Sequence, residues 1–212
     1  MNLAQQFDFT LLSPDCTPEQ IRQLCDLAQK HRFASVCIPP YFVKQAAEIF
    51  AEGPVKVCVA VGFPMGYSAT PAKVEEIKKA LDEGAEEIDA VLNICAVKAA
   101  NWNYVRNDLD SMTTAVHLKG KSISITIEAG LLTESELAKV CELALEIKPN
   151  FIKIATGYHG EGATVQSVQR LKELLGGKIR IKASGGIRTA EDAARLVEAG
   201  AARIGVTEIF AL

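Results

Sequence analysis

Strand-length apolar runs alternate with helical patterns from one end of the chain to the other, and no other feature restricts its fold as strongly. The runs are Phe7–Leu11, Ser35–Ile38, Val55–Val61, Glu87–Leu92, Ser122–Ile127, Phe151–Ala155, Ile179–Ala183 and Arg203–Val206. Between them lie stretches such as Thr17–His31 and Pro71–Glu83, whose apolar residues recur every three or four positions. Thr17-Pro18-Glu19-Gln20 and Thr133-Glu134-Ser135-Glu136 set a capping threonine three residues before an amide or acid, and Thr189-Ala190-Glu191-Asp192 repeats the spacing. Strands each followed by a helix predict an α/β protein of the TIM-type (β/α)8 barrel, one domain over residues 1–212. The competing architecture is an open doubly wound sheet, but no GxGxxG or GxxxxGK[ST] follows the early strands. The last run lies close to Leu212, which leaves little room for a helix after it.

Composition narrows the class further. A chain of 212 residues with 49% apolar and 23% charged side chains can bury one substantial core. The net charge of −3 is spread without basic clusters, so neither nucleic acid nor an anionic membrane is an expected partner. MNLAQQFDF has no basic stretch leading into an apolar one, so no signal peptide is expected, and no apolar run reaches the ~18 residues of a membrane span. Cys16, Cys25, Cys37, Cys58, Cys95 and Cys141 show no CxxC spacing; reduced, packed thiols in a cytoplasmic protein account for them.

Strand alternation then singles out charges. In KVCVAVG, Val57, Val59 and Val61 share one face and Lys56, Cys58 and Ala60 the other; in IRIK, Ile179 and Ile181 oppose Arg180 and Lys182. The apolar face must meet the helices, so Lys56, Asp89, Glu128, Lys153 and Lys182 are expected to point into the barrel. Lys56 and Arg180 suit a structural network at its base. Lys153, in FIKIATG, and Lys182, in IRIKASGG, lie near C-terminal strand ends, where barrel active sites are built. A lysine with a pKa of ~10.4 offers only about one neutral amine in 2,500 at neutral pH. A second ammonium nearby favours the neutral form, so the pair suggests Schiff-base chemistry. A structural salt bridge is the plainer alternative for Lys153, a phosphate-binding or structural cation that for Lys182, and simple neutralisation of a lysine that for Asp89. Cys37 and Thr156 are candidates for positions near substrate, Cys37 also being readable as a packed core thiol.

DFTLL (Asp8 to Leu12), ASVCI (Ala34 to Ile38), VGFPMG (Val61 to Gly66), EEIDAVLN (Glu86 to Asn93), FIKIATG, GEGAT (Gly160 to Thr164), IKASGGIRT (Ile181 to Thr189) and RIG (Arg203 to Gly205) occur in one order along nearly the whole chain. On these strings the chain resembles the deoxyribose-phosphate aldolases, class I aldolases that join acetaldehyde to glyceraldehyde 3-phosphate. The resemblance implies that Lys153 forms the Schiff base, Lys182 is the second active-site lysine and Asp89 works in the proton relay. It implies phosphate binding around Gly157, Gly185, Gly186, Arg188, Gly205 and Thr207, with small aldehydes and a sugar phosphate as substrates and a homodimer as the assembly. No cofactor or metal is implied: the iminium is the electron sink, and His31, His117 and His159 have no ligand spacing. On this view Lys182 depresses the pKa of Lys153. A fall from ~10.4 to about 7 takes roughly 4–5 kcal/mol of differential interaction, and because Asp89 acts in the opposite sense, the lysine pair has to dominate.

Several positions depart from the family pattern. Phe9 stands where histidine is common, Ile154-Ala155 where Thr-Ser is common, Ser124 for a lysine, Pro39 for an asparagine, and Thr207-Glu208 for small residues. A carboxylate beside a phosphate repels it unless it turns away or pairs with a cation such as Arg203. Two further functions therefore stay open: an aldolase with an altered acceptor, and a catalytically silent barrel that binds sugar phosphates.

Overall fold

Alternation of β-branched residues with polar or small ones produces strands that can be covered by helices on one side only, and the chain resolves this by closing its sheet. The computed structural model describes residues 3–51, 53–160 and 162–209. Glu161 of the GEGAT string, Met1 and Asn2 of the N-terminal stretch and the 210–212 end therefore lie outside the described residues. The eight strands are β1 (Phe7–Thr10), β2 (Ser35–Ile38), β3 (Lys56–Val61), β4 (Glu87–Val91), β5 (Ser122–Thr126), β6 (Phe151–Lys153), β7 (Arg180–Ser184) and β8 (Arg203–Val206). All neighbours are parallel and β8 pairs with β1, which closes the barrel. The strands match the sequence expectation to within one or two residues at their ends: β2 and β8 coincide with it, β7 is shifted one residue towards the C-terminus, and the others are shorter where the chain leaves the ladder.

The surrounding helices are α1 (Pro18–His31), α2 (Val43–Ile49), α3 (Thr70–Asp82), α4 (Ile94–Lys98), α5 (Trp102–His117), α6 (Glu134–Ile147), α7 (Val165–Leu175) and α8 (Ala190–Ala199). Thr17 and Thr133 each close the capping box expected of them, and Thr189 accepts a hydrogen bond from the Asp192 amide. Phe9, Val57, Val59, Ile88, Ile123, Ile152, Ile154 and Ile204 belong to the continuous core between strands and helices. Cys37, Cys58 and Ala60 form a separate small cluster inside the barrel, capped by Leu12 and Phe63.

At the base, Arg203 reaches both Asp8 and Glu87, the latter at 2.9 Å. Lys56 does not enter the barrel as expected: its side chain is 45% exposed and meets Glu87 from outside at 3.4 Å. It is the first residue of β3, so its long stem carries the ammonium to solvent and avoids the desolvation cost. Arg180 is likewise exposed and lies over the Phe151 ring, 3.9 Å from the centroid.

The VGFPMG string forms the β3–α3 connection. A Cβ on Gly66 would come 2.1 Å from the Leu92 carbonyl oxygen, so only glycine fits there. The buried Lys73 ammonium holds this connection by bonding the Gly66 and Val91 carbonyls at 3.2 and 3.0 Å and Asp108 at 2.6 Å. That network sets one side of the barrel mouth.

Candidate active site

Three strands deliver the central charges, Lys153 from the last residue of its strand and Asp89 and Lys182 from mid-strand. Asp89, Lys153 and Lys182 project from β4, β6 and β7, and all three are buried. Lys153 Nζ donates to Asp89 Oδ2 at 2.8 Å; Lys182 Nζ lies 2.9 Å from each Asp89 oxygen. Lys182 is also 2.7 Å from Asp8 Oδ2, an ion pair whose angle is not that of a hydrogen bond. The other oxygen of Asp8 accepts from Ser35 at 2.5 Å and from Arg203. Asp8 was not among the expected site residues. Its position in FDFT does carry a signal: alternation turns it inward together with the lysines, and inward charges of one sign need partners.

This arrangement corrects the expected effect of the lysine pair. Burial, the strongest influence on Lys153, favours its neutral form, and the Lys182 charge works in the same direction. Against them stand the Asp89 charge, Cys37 and the Asp89 hydrogen bond, and the outcome is a pKa above the ordinary lysine value. Lys182 stands higher still: burial lowers it, but Asp8 and Asp89 outweigh burial. Burial also acts to raise Asp89, yet the two ammoniums hold it well below the usual carboxylate range. In the resting site both lysines are therefore protonated and Asp89 is ionised.

Cys37 is buried at the end of β2, its thiol 3.6 Å from Asp89 Oδ2. Cys58 lies beside it in strand register, its sulfur 4.0 Å from Lys182 Nζ. Hydrogen bonding with Cys37 first, then burial, pushes the Cys58 thiol well above its ordinary pKa. Donor atoms of Cys37, Cys58 and Asp89 fall within 4.8 Å of one another, a set the sequence spacing did not indicate. Asp89 is already occupied by two ammoniums, which oppose a cation there.

Above this centre a cavity of about 540 Å³ opens on the β6–β8 side. Lys153 forms part of its wall, and Thr156, Gly157, Gly185, Gly186, Arg188, Gly205, Thr207 and Glu208 surround it. The sequence-derived phosphate residues and Thr156 thus meet at one cavity. Ser184 lines it too, donating to the Ala155 carbonyl at 2.5 Å. Gly157, Gly185 and Gly186 have φ of 87°, 87° and 74°, which aligns the loops closely. Loop contact is tightest at Gly162, where a Cβ would sit 2.0 Å from the Gly185 carbonyl oxygen.

Glu128 lies just beyond β5, in a left-handed conformation at φ 46°. Its buried carboxylate accepts from the Thr156 amide at 2.5 Å, and Thr156 Oγ1 accepts from the Tyr158 amide at 3.1 Å. Sequence alternation marked Glu128 as inward but not as a brace for the following loop.

The departures do not gather at the cavity. Phe9 packs edge-on against Phe33 at 5.6 Å, and Ile154 and Ala155 belong to the strand–helix core. Of the departing positions, Thr207 and Glu208 line the cavity, both exposed.

A family model for DeoC/LacD aldolases matches residues 3–207. The chain is 43% identical to a deoxyribose-phosphate aldolase of Thermococcus gammatolerans, covering 98% of this chain and 93% of that protein. It is 42% identical to one of Staphylococcus epidermidis, again covering 98% and 93%. Among solved structures, an aldolase called QR15 superposes with a TM-score of 0.93 at 33% identity, covering 98% of this chain and 92% of that one. The deoxyribose-phosphate aldolase of Aeropyrum pernix, described as tetrameric, gives a TM-score of 0.90 at 29% identity, covering 97% and 86%. With its barrel, its buried lysine–carboxylate centre and a match over almost the whole length, this chain belongs to the DeoC/LacD family of aldolases.

Proposed function

We propose that this protein reversibly cleaves 2-deoxy-D-ribose 5-phosphate to D-glyceraldehyde 3-phosphate and acetaldehyde through a Schiff base on Lys153. The observation that carries the reading is Lys153 itself, buried, bonded to Asp89 at 2.8 Å and forming the wall of a glycine-rimmed cavity. Its relatives from Thermococcus and Staphylococcus bear the corresponding name.

The resting charges dictate the order of events. Lys153 must lose a proton before it can attack the sugar carbonyl, and Asp89, touching both ammoniums, is placed to pass that proton on. Lys153 Nζ then bonds the carbonyl carbon and water leaves. The hydroxyl on the third sugar carbon gives its proton to the relay through Asp89. The bond between the second and third carbons breaks with its electron pair passing to the iminium, and glyceraldehyde 3-phosphate departs with the third carbon as its new carbonyl. Protonation of the remaining enamine and hydrolysis of the iminium release acetaldehyde and restore Lys153. Lys182, held between Asp8 and Asp89, supplies the fixed positive charge that keeps Asp89 ionised.

The phosphate is received on the rim by the amides of the glycine loops and by Arg188. Glu208 lies on the same rim and favours a second reading, an aldolase whose acceptor lacks phosphate. Two exposed unit charges at contact interact by about 1 kcal/mol in water, so Glu208 alone does not outweigh Arg188 and the amides. Family resemblance also supports a homodimer in the cytoplasm, one barrel domain per subunit, acting on small molecules without membrane or nucleic acid; light scattering on the purified protein tests the dimer.

Borohydride trapping in acetaldehyde, followed by peptide mass mapping, tests the covalent step. An adduct on Lys153 that vanishes in Lys153→Ala is expected; its absence from folded protein favours the silent barrel. Retro-aldol rates on 2-deoxyribose 5-phosphate and on 2-deoxyribose then separate the acceptors, a large advantage for the phosphorylated sugar being expected.

A further inference from the structure

On the face of the barrel opposite the reaction centre, a hollow of about 550 Å³ lies between the loops that enter β6 and β7. One loop contributes Lys148, Pro149 and Asn150, the other Lys178, Ile179 and Arg180. Arg180 opens β7, and Ser184, its last residue, lines the cavity beside Lys153. At about 3.3 Å per residue, roughly 13 Å of strand separates the two.

The hollow is walled by donors. Lys148, Lys178 and Arg180 bring three positive charges to it, and no carboxylate is among its lining residues. Among the described residues, none of the three cations is ion-paired. Asn150 has a donor end and an acceptor end, and its neighbours decide between them. Its oxygen accepts from the Ile123 amide at 2.9 Å and lies 3.0 Å from His117 Nε2. That commits the carbonyl towards β5 and leaves the NH2 end for the hollow. Arg180 is steadied by the Phe151 ring, 3.9 Å from its guanidinium carbon, and Arg203 lies over the same ring at 5.8 Å. Burial first, then the Arg203 charge, lowers the Arg180 pKa, with Glu87 opposing them. An anion against Arg180 relieves that repulsion.

The plainer role for lysines here is to offset helix dipoles, since α6 and α7 end just before Lys148 and Lys178. Each helix end carries about half a unit of negative charge. Two ends therefore offset about one of the three positive charges, and they explain neither Arg180 nor the turned Asn150 amide. We propose that this hollow is an anion site distinct from the glycine rim, which takes the phosphoryl group of a small phosphate, free or esterified. The Arg180 fork bonds two of its oxygens, and Lys148, Lys178 and the Asn150 amide close round the rest. The volume suits a small molecule, and Leu145 and Pro149 offer an apolar side to the carbon chain of an ester. Its two loops lead into the strands whose third residues are Lys153 and Lys182. The site does not depend on the aldolase reading of Lys153.

Acetylation of the full chain with acetic anhydride, followed by peptide mass mapping, reads this hollow locally, because phosphate on the distant rim leaves its lysines uncovered. Inorganic phosphate and glycerol 2-phosphate are the probes, with sodium chloride at equal ionic strength as the control. Lys148 and Lys178 should be protected at least threefold by a phosphate, while Lys44, exposed elsewhere, reacts as before. In Arg180→Gln the phosphate needed for that protection should rise at least tenfold. Tighter protection by glycerol 2-phosphate assigns the site to an ester; equal or tighter protection by inorganic phosphate assigns it to the free ion. No protection, the same protection by sodium chloride, or protection unchanged in Arg180→Gln overturns the site. Should Arg180→Gln not fold, Lys178→Gln with protection read at Lys148 repeats the comparison.

Discussion

Asp8 on the first strand stands 2.7 Å from the Lys182 ammonium on the seventh, and this contact ties the base network of the barrel to its reaction centre. Through Asp8 the Arg203 guanidinium and the Ser35 hydroxyl bear on Lys182. Removing one partner of a buried pair leaves the other charge uncompensated, at a cost of about 3–5 kcal/mol. Asp8→Ala should therefore lose stability on that scale in urea titration, with a fall in turnover. Asp8→Asn, which keeps an acceptor for Ser35 and Arg203, should lose less stability.

The pKa directions predict the pH–rate profile. Lys153 stands above its ordinary value because Asp89 outweighs burial and Lys182, so kcat/KM should still be rising through neutral pH. Lys182→Leu removes the neighbouring ammonium that favours neutral Lys153 and should move the rising limb to higher pH. Asp89→Asn removes the main charge that raises Lys153; the limb should move lower while turnover falls for want of the relay. Profiles that coincide with the wild type would exclude this charge balance.

Stability should respond to alkali. A lysine whose folded pKa exceeds the unfolded one contributes stability that is complete below the unfolded value and is lost as pH rises through the folded value. Lys153 and Lys182 both lie above the ordinary 10.5, so thermal stability should begin to fall only above about that pH. Asp89 has the opposite sign: its contribution is full above the ordinary 3.8 and is lost at more acidic pH than for a free aspartate. Melting temperatures across both windows, compared with Lys182→Met and Asp89→Asn, isolate these contributions.

Gly162→Ala tests the phosphate rim. Its new Cβ would meet a backbone carbonyl at 2.0 Å, so the β6–α7 and β7–α8 loops must separate. KM for 2-deoxyribose 5-phosphate should rise at least about tenfold, equivalent to about 1.4 kcal/mol, with a smaller change for 2-deoxyribose.

Glu128→Ala leaves the Thr156 amide without its acceptor, and Glu128→Gln retains one. An unmade buried hydrogen bond costs about 1–3 kcal/mol. The alanine variant should show that loss in urea titration and a higher KM for the phosphorylated sugar, and the glutamine variant should recover most of both.

The eight strands, the capping boxes at Thr17 and Thr133 and the inward placement of Asp89, Lys153 and Lys182 were all legible in the order of residues. These depend on period-two and helical patterning and on local cap chemistry, which neighbouring residues settle among themselves. The glycine strings likewise pointed to one rim, because backbone conformations at positive φ demand glycine locally. Contacts across the barrel were not legible in this way. Lys56 looked inward by alternation, yet its place as the first residue of β3 gave its stem a route to water. Phe9, Ile154 and Ala155 looked like changes at the site, yet they face the helix layer. Most consequentially, two lysines suggested mutual repulsion and a lowered pKa. Closure of the barrel brought Asp89 between them and Asp8 beneath one of them, and electrostatic balance in a buried site depends on distances that no order of residues along the chain can state.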